Sequence, residues 1–409
     1  MATTGRDIRE VSLAKRETWE HGVPYEAFRE MRGKCPVHWT PDIQDLPEEA
    51  GFWSATTADD ILTVSRDWET YSSELGGIVA ASASFPLELA TAMFIGMDPP
   101  KHDRVKALFQ RGFTPRRIAE HEDEVRAITK RVFDRLEGRE RADLVDDVAQ
   151  PVVSRVIGSF MGIDESEDAA WAEIMNRFLA ASDETLNPEG IDEALQNSLK
   201  LIFERTQSLI EARREHPTDD LMSVLVHAEI DGEKLAEHEI VMGFALLMAA
   251  GNDSTRSTYS AAMRALMENP DQKQKLIDDP DLIPSAVEEA LRMFPAFAHF
   301  RRTATRDTVL HGQEIKAGEK VVMWYVSSGR DESRYEDPDR FDVERNPEHQ
   351  AFGAGGRHFC LGTALARLEL RILIEETLAR YPNIELAGAP ERTDSFFINQ
   401  LRSLPVKLA

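Results

Sequence analysis

The sequence predicts a mainly α-helical fold with a minor β region. Apolar residues from about 100 to 295 recur at helical spacing, whereas short strand candidates broken by glycine are concentrated in 303–345. No repeat, low-complexity tract or long linker divides the 409 residues. We therefore expect a single domain over 1–409, which begins with a proline-containing segment at 1–50.

The individual elements follow from apolar spacing and from turn residues. Glycine and proline mark their ends, for example Gly138, Pro217 and Pro295. The predicted strands are Gly51–Thr56 and Lys320–Tyr325, with further short strands in 384–409. The predicted helices are Ile118–Leu136, Ala194–Ala212, Leu235–Met267, Val287–Met293 and Leu361–Arg380.

Charge and cysteine content exclude several classes of protein. Lys and Arg number 48 against 73 Asp and Glu, a net charge of −25, which disfavours nucleic acid and anionic membranes as partners. Two cysteines, Cys35 and Cys360, exclude a disulfide scaffold. No apolar stretch approaches the roughly 20 residues of a membrane span, and the N-terminus does not resemble a signal peptide. We expect a soluble, cytoplasmic protein.

The most informative segment surrounds Cys360. Gly353, Gly355 and Gly356 allow a tight turn that delivers this cysteine to the predicted start of the last helix, where the helix dipole favours a thiolate. A single cysteine cannot complete a tetrahedral zinc site, but one axial thiolate is what a haem iron needs. The alternative is a buried apolar cysteine next to a glycine turn.

The stretch from Phe352 to Gly362 resembles the haem-binding loop of the cytochrome P450 superfamily, and the resemblance extends over about 51–405. Seven residues separate Phe352 from Cys360, one more than the common pattern, so either Gly355 or Gly356 fills the family's glycine position. The resemblance implies a cytochrome P450 fold with a long helix over the haem. It also implies haem b as the cofactor, Cys360 as its iron ligand, and Phe352 and Gly362 beside it.

Glu289 and Arg292 lie three residues apart, so they share one helix face and can pair. Together with Arg345 they resemble the family's structural ExxR motif and its partner arginine. The resemblance implies that these three residues hold the core on the cysteine side of the haem. On its own, such a spacing usually means a solvated surface pair.

The centre of the long helix carries the polar run Ala249–Thr255, which costs roughly 3 kcal/mol of helix propensity relative to alanine. It resembles the family's oxygen-binding groove, where a widened turn admits dioxygen. The resemblance implies that Ala250 and Gly251 contact the cofactor and that Asp253 relays protons with an alcohol, either Ser254 or Thr255. The alternative is a polar kink used for packing.

Four side chains match family positions that bind the haem carboxylates, namely His102, Lys106, Arg302 and His358. Lys106 replaces the usual arginine, which keeps the charge but loses the bidentate geometry. Taken singly, such residues are more often structural or exposed.

The stretches expected to face the substrate are largely apolar, as is typical of pockets for uncharged ligands. They are 78–94, 246–250, 297–299 and 397–398, and the candidate pocket residues are Phe94, Leu246, Ala249, Phe297, Ala298, Phe397 and Ile398. Ordinary core packing is the alternative for each residue. The cysteine loop and the C-terminal segment resemble those of bacterial sterol and terpenoid hydroxylases, which implies a terpenoid, steroid or other lipid-like substrate.

The resemblance implies a monooxygenase that uses O2 and two electrons from a separate partner such as a ferredoxin. Lys101–Arg117 contains six Lys or Arg against one Asp, so this segment is a candidate docking surface, with Lys101, Arg104 and Arg111 facing outward. The alternative is that its charges pair with neighbouring acids such as Glu120. Two other functions remain open, a peroxide-driven peroxygenase and a non-catalytic haem sensor or carrier.

Overall fold

The computed structural model describes residues 11–44, 49–81, 85–110, 112–230 and 232–408. About 52% of the chain is helical, which confirms the predicted mainly α fold. The α-helices are α1 (Arg16–Trp19), α2 (Tyr25–Lys34), α3 (Ala58–Arg66), α4 (Leu87–Ala92), α5 (Lys101–Gln110), α6 (Pro115–Glu120), α7 (Glu122–Asp134), α8 (Gln150–Met161), α9 (Asp168–Leu179), α10 (Ile191–Glu215), α11 (Leu221–His227), α12 (Glu237–Glu268), α13 (Pro270–Asp278), α14 (Ile283–Met293), α15 (Tyr325–Ser328) and α16 (Thr363–Arg380).

The β region is small. Its strands are β1 (Val37–Asp42), β2 (Ala50–Ala55), β3 (Tyr71–Ser72), β4 (Arg141–Asp143), β5 (Glu229–Ile230), β6 (Glu233–Lys234), β7 (His299–Ala304), β8 (Thr308–Leu310), β9 (Gln313–Ile315), β10 (Lys320–Trp324), β11 (Glu385–Leu386), β12 (Glu391–Arg392), β13 (Leu401–Ser403) and β14 (Pro405–Lys407). The main sheet has five strands in the order β1-β2-β10-β7-β3. In this sheet β10 pairs parallel with β2 and antiparallel with β7.

Helix α12 is the predicted long helix, and it crosses the largest hydrophobic core. Its first turn is closed by Glu239, whose Oε2 accepts a hydrogen bond from the Ala236 N–H over 2.9 Å. Its end is set by Pro270, which begins α13 and cannot continue the preceding helix. Because α8, α9, α14 and α16 all pack against it, α12 is the element around which the other helices are arranged.

Two helix boundaries differ from the prediction. The helix expected over 118–136 is divided, because Thr114 caps α6 by accepting from the Arg117 N–H, and His121 separates α6 from α7. The apolar spacing continues across the break, so periodicity alone could not reveal it. The last helix begins at Thr363 rather than at Leu361, so Cys360 lies in the turn before it.

The N-terminal segment, for which no elements were predicted, contributes strand β1 to the main sheet. Its Trp19 and Phe28 pack against Trp324 of β10 in a second hydrophobic cluster. Among the residues described above, no helix combines the length and apolar composition needed to cross a membrane.

Candidate active site

The cysteine loop runs from Phe352 to Cys360 and is closed by a hydrogen bond from the Cys360 N–H to the Phe352 carbonyl, 2.9 Å long. Gly355 and Gly356 have φ values of +83° and +81°, a region that favours glycine. A side chain at Gly356 would also meet the Ser65 carbonyl oxygen at 2.9 Å. The tightest approach of the loop to neighbouring backbone is therefore made at Gly356.

Cys360 is exposed as a residue and lines a cavity, while the protein around its thiol partly shields it from water. This burial raises the pKa of the Cys360 thiol, whereas the Gly362 N–H and the cations Lys106 and Arg367 lower it. The thiolate, which is the form that binds metal, is thus supported by two cations and one backbone donor. Helix α16 begins too late to give this cysteine the predicted place in its first turn.

A cavity of about 180 Å³ lies between the cysteine loop and α12. Its wall brings together every residue predicted to contact the cofactor. These residues are His102, Lys106, Ala250, Gly251, Arg302, Phe352, His358, Cys360 and Gly362.

Three basic side chains meet at the wall of this cavity. The rings of His102 and His358 lie 4.1 Å apart between centroids, and Arg302 is 4% exposed. Burial lowers the pKa of each of these three groups, and their mutual repulsion lowers it further for both histidines. His102 Nε2 and His358 Nδ1 are buried with no hydrogen-bond partner among the described residues. An anion here would satisfy both nitrogens and offset the repulsion, so these residues fit the two carboxylates of a haem.

Lys106, expected to face a haem carboxylate, makes different contacts. Its Nζ donates to the carbonyl oxygens of Arg357 and Phe359 over 2.5 and 2.7 Å. Lysine is a compact point charge that reaches these two carbonyls without the wide fork of an arginine. In the structure this side chain therefore ties α5 to the cysteine loop.

The cavity face of α12 presents Ser254 and Thr255. Ser254 Oγ donates to the Ala250 carbonyl over 2.6 Å, and Thr255 Oγ1 donates to Glu369 Oε2 over 2.7 Å. Burial raises the pKa of Glu369 to about 8, so this carboxyl group carries a proton at neutral pH. Sequence reasoning missed Glu369, although it falls on one helix face with Leu365 and Leu373, four residues away on either side.

Asp253, the predicted acid of the proton relay, lines neither this cavity nor the larger one beside it. It is fully buried and forms an ion pair with Arg256, whose Nη2 also donates to Gln400 Oε1 over 2.7 Å. Burial raises the pKa of Asp253, and Arg256 opposes that rise. The widened turn expected over 249–255 is absent as well, since α12 is regular there.

The backbone of Gly251 forms part of the cavity wall, but a side chain at this position would point toward α8. A Cβ here would lie 2.7 Å from Ile157 Cγ1, so glycine permits the close approach of α8 to α12. Gly251→Ala is expected to lower the free energy of unfolding by about 1–3 kcal/mol, measured by urea denaturation, because the added methyl overpacks this contact.

The control for this substitution is Gly33→Ala in helix α2, where a Cβ would meet no atom within 4 Å. That change should leave stability equal or up to about 1 kcal/mol higher. Ile157→Ala combined with Gly251→Ala should recover part of the loss. A neutral Gly251→Ala variant would show that the two helices are not held at this distance.

A second cavity, of about 580 Å³, adjoins the first and is mostly apolar. Among the residues predicted to contact substrate, Leu246, Ala249, Phe297 and Phe397 line it. Phe94 lines the smaller cavity, and Leu246 and Phe297 line both.

Two residues predicted for the substrate pocket lie elsewhere. Ala298 packs with Trp324 in the second hydrophobic cluster, and Ile398 pairs with Phe297 through a backbone bridge. Neighbouring residues of an extended segment point to opposite sides, so the whole stretches 297–299 and 397–398 cannot face one cavity. Residues 82–84 of the predicted stretch 78–94 lie outside the described residues.

Glu289, Arg292 and Arg345 form one buried network. Arg292 donates to both carboxylate oxygens of Glu289 over 2.6 and 2.7 Å, and both side chains are fully buried. Arg345 Nε donates to Glu289 Oε1 over 3.2 Å. Arg292 Nη1 also donates to the carbonyls of Gly329 and Pro338, so the network fastens α14 to the segment before the cysteine loop.

Comparison with known proteins agrees with this arrangement. The cytochrome P450 family model matches residues 168–399. The methyl-branched lipid omega-hydroxylase of Mycobacterium tuberculosis is 35% identical, with 98% of this chain and 95% of that protein covered. The steroid C26-monooxygenase of Mycolicibacterium smegmatis is also 35% identical, with coverage of 97% and 96%.

Among solved structures, a Mycobacterium marinum cytochrome P450 in complex with pseudoionone superimposes with a TM-score of 0.93. It is 36% identical, and the match covers 99% of this chain and 100% of that one. The family match spans more than half of the chain, and the relatives match nearly all of it. The protein therefore belongs to the cytochrome P450 family and is a haem-thiolate monooxygenase.

Proposed function

We propose that this protein binds haem b and hydroxylates a terpenoid, a steroid or another lipid-like molecule. The observation that carries the proposal is the apolar cavity of about 580 Å³, which shares Leu246, Ala250 and Phe297 with the cysteine cavity. A ligand in it would place one end beside the cofactor. Pockets of this size and apolar character bind uncharged small molecules. The relatives named for lipid and steroid hydroxylation support this substrate class.

The residues of the first cavity would hold the haem. Cys360 would bind the iron, and His102, His358 and Arg302 would bind the carboxylates. In the part of the chain that the structure describes, His102 Nε2 and His358 Nδ1 have no hydrogen-bond partner, and the basic groups around them repel one another. Bound haem supplies the activation of O2 and the transfer of one oxygen atom to a C–H bond. The chain's own contribution is to fix the ligand, exclude water with the apolar wall and deliver protons.

We propose Ser254 as the alcohol that delivers protons at the cavity, with Asp253 and the protonated Glu369 as the nearby acids. Thr255 is already hydrogen-bonded to a side chain, that of Glu369, whereas the Ser254 hydroxyl bonds to the backbone carbonyl of Ala250 and can turn toward the cavity. To reach the cavity side, the Asp253 carboxylate would leave its ion pair with Arg256.

Ser254→Ala is expected to divert electrons into hydrogen peroxide, measured as peroxide released per NADH consumed. Asp253→Asn should slow turnover on the order of 10²-fold, as general acids typically contribute, while the ligand-induced spectral shift stays intact. Ser254→Thr is the conservative control and should keep product formation coupled. Unchanged rate and coupling in the first two variants would assign proton delivery to Thr255 and Glu369 instead.

Electrons reach bacterial cytochromes P450 from a separate redox partner. We propose that a ferredoxin docks on the concave surface around Cys360, which has a volume of about 490 Å³ and includes Arg357 and Phe359. Phe359 is 41% exposed and offers an apolar contact next to the cysteine.

The free thiols of Cys35 and Cys360 suit the reducing cytoplasm, which we propose as the location.

The basic segment 101–117 offers a docking partner fewer available cations than its composition indicates, because several of them pair within the protein. Lys101 pairs with Glu239 over 2.8 Å and Arg117 with Glu120 over 3.2 Å. Arg111, expected to face outward, lies outside the described residues. Arg116 Nε lies 3.7 Å from Glu120 Oε1, but its side chain is 92% exposed. It follows Thr114 and Pro115, which line the docking surface.

Arg116→Glu is expected to slow reduction by an acidic ferredoxin about tenfold at low ionic strength and much less at high ionic strength, because salt screens exposed charges. Stopped-flow reduction at several salt concentrations measures this effect. Lys200→Glu on α10, with a side chain 72% exposed, is the matched control and should change little. Slowing that does not depend on salt would argue against electrostatic docking at this surface.

A spectral-shift screen of terpenoids, steroids and fatty acids against the ferric holoenzyme tests the proposed function. At least one of these three compound classes should produce a spectral shift on binding. With a surrogate ferredoxin system and NADH, the same class should yield a hydroxylated product. Binding confined to charged or strongly polar compounds would overturn the proposed substrate class.

A further inference from the structure

His299 opens strand β7 and is fully buried, behind the wall of the apolar cavity rather than on it. Two backbone groups contact its ring from opposite sides. The Ala80 N–H donates to Nε2 over 3.1 Å, and Nδ1 lies 3.1 Å from the Phe396 carbonyl oxygen. The Phe396 ring also stacks on the imidazole, at 5.6 Å between centroids and 14° between planes.

These contacts fix the protonation state of the ring. A carbonyl oxygen only accepts and a backbone N–H only donates, so Nδ1 must carry the hydrogen and Nε2 must be free of one. A second proton on Nε2 would point at the Ala80 N–H. Burial lowers the pKa of His299 to about 3, so the neutral ring persists through the physiological range.

The two partners of His299 belong to two different walls of the apolar cavity. The 76–81 segment lines the cavity on both sides of Ala80, through Val79 and Ala81 among others. The 394–397 segment lines it through all four of its residues. A single rigid side chain therefore joins two separate stretches of chain that a bound ligand would touch.

Other contacts tie these walls to β7, to β10 and to the residue that precedes β7. The Arg301 N–H of β7 donates to the Ile78 carbonyl over 2.8 Å, and the Lys320 Nζ of β10 approaches the Ala80 carbonyl at 3.3 Å. On the other wall, the Ala298 N–H donates to the Phe397 carbonyl over 2.8 Å. The His299 side chain bonds to both walls at once.

We propose that His299 is a specificity-determining positioning residue, which sets the separation of the 76–81 and 394–397 segments and thereby the shape of ligand that the apolar cavity accepts. The inference rests on the proposed function, since it takes this cavity as the substrate site. Imidazole suits the task because it offers one donor and one acceptor on opposite sides of a rigid ring.

The test compares His299→Phe, which keeps a ring but loses both hydrogen bonds, with His299→Gln, which retains one donor and one acceptor. Hydrogen–deuterium exchange of the ligand-free holoenzyme should show the Ala80 amide exchanging about tenfold faster in His299→Phe. The His299→Gln variant should lie closer to the wild type. Tyr259→Phe, which removes a buried hydrogen bond of 2.7 Å to Thr377, is the control and should leave exchange at Ala80 unchanged.

Binding is measured by spectral titration with two probes, the flexible chain pseudoionone and the rigid ring system testosterone. If the two walls are loosened, the cavity should accept the bulkier probe, testosterone, more readily. The ratio of the two dissociation constants should therefore change about tenfold in His299→Phe and return toward the wild-type value in His299→Gln. An unchanged ratio, or His299→Gln behaving like His299→Phe in both measurements, would overturn the proposal. If neither probe binds the wild type, the proposed substrate class fails for these compounds, and the exchange comparison still decides whether His299 joins the walls.

Discussion

Cys360→His is expected to abolish hydroxylation while leaving a folded protein. The cysteine loop is closed by the backbone of residue 360 rather than by its side chain, so the fold tolerates the change. An imidazole lacks the negative charge that a thiolate donates to the haem iron. Lys106 and Arg367, which support the thiolate electrostatically, would then face a neutral ligand. Product formation should fall below detection, with far-ultraviolet circular dichroism unchanged.

Cys35→Ser is the matched control for this substitution. Its Sγ donates to the Val37 carbonyl over 3.4 Å in the N-terminal segment, and it lines neither cavity. Turnover should therefore be retained. A Cys360→His enzyme that still hydroxylates at the wild-type rate would show that Cys360 takes no part in the reaction.

Arg292→Leu is expected to prevent formation of a stable holoenzyme. Removing one partner of a buried ion pair costs about 3–5 kcal/mol. Here the buried Glu289 carboxylate loses both hydrogen bonds from Arg292 and keeps Arg345 as its cationic partner. The carbonyls at Gly329 and Pro338 lose their donor as well. Since a whole domain is stable by only about 5–15 kcal/mol, the combined loss approaches the total stability.

Urea denaturation and the haem content of the purified protein measure this effect. Glu204→Gln, which breaks an exposed pair with Lys200 at 3.9 Å, is the control and should cost less than about 1 kcal/mol. An Arg292→Leu protein with normal stability and full haem content would show that the network does not hold the core.

Elements that depend on local sequence were predicted well. The apolar centre of α12 and the proline after it defined the long helix, and glycines with positive φ marked the cysteine loop. Pairing of Glu289 with Arg292 needed only helical spacing. These features follow from neighbours in the chain, which sequence patterns report directly.

Features that depend on distant parts of the chain were not predicted. Asp253 pairs with Arg256, which is itself hydrogen-bonded to Gln400. Position 251 needs a glycine because Ile157 of α8 lies directly opposite it. Glu369 gains its raised pKa from burial against α12, which no spacing within α16 reveals. Each of these contacts joins residues roughly a hundred or more positions apart, so only the fold shows them.

We propose that Cys360 binds a haem through its thiolate, between the cysteine loop and α12. The absorption spectrum of the ferrous–CO complex of the wild-type holoenzyme tests it most directly. We expect the strongly red-shifted Soret band of thiolate ligation. A Soret band like that of a histidine-ligated globin would contradict it.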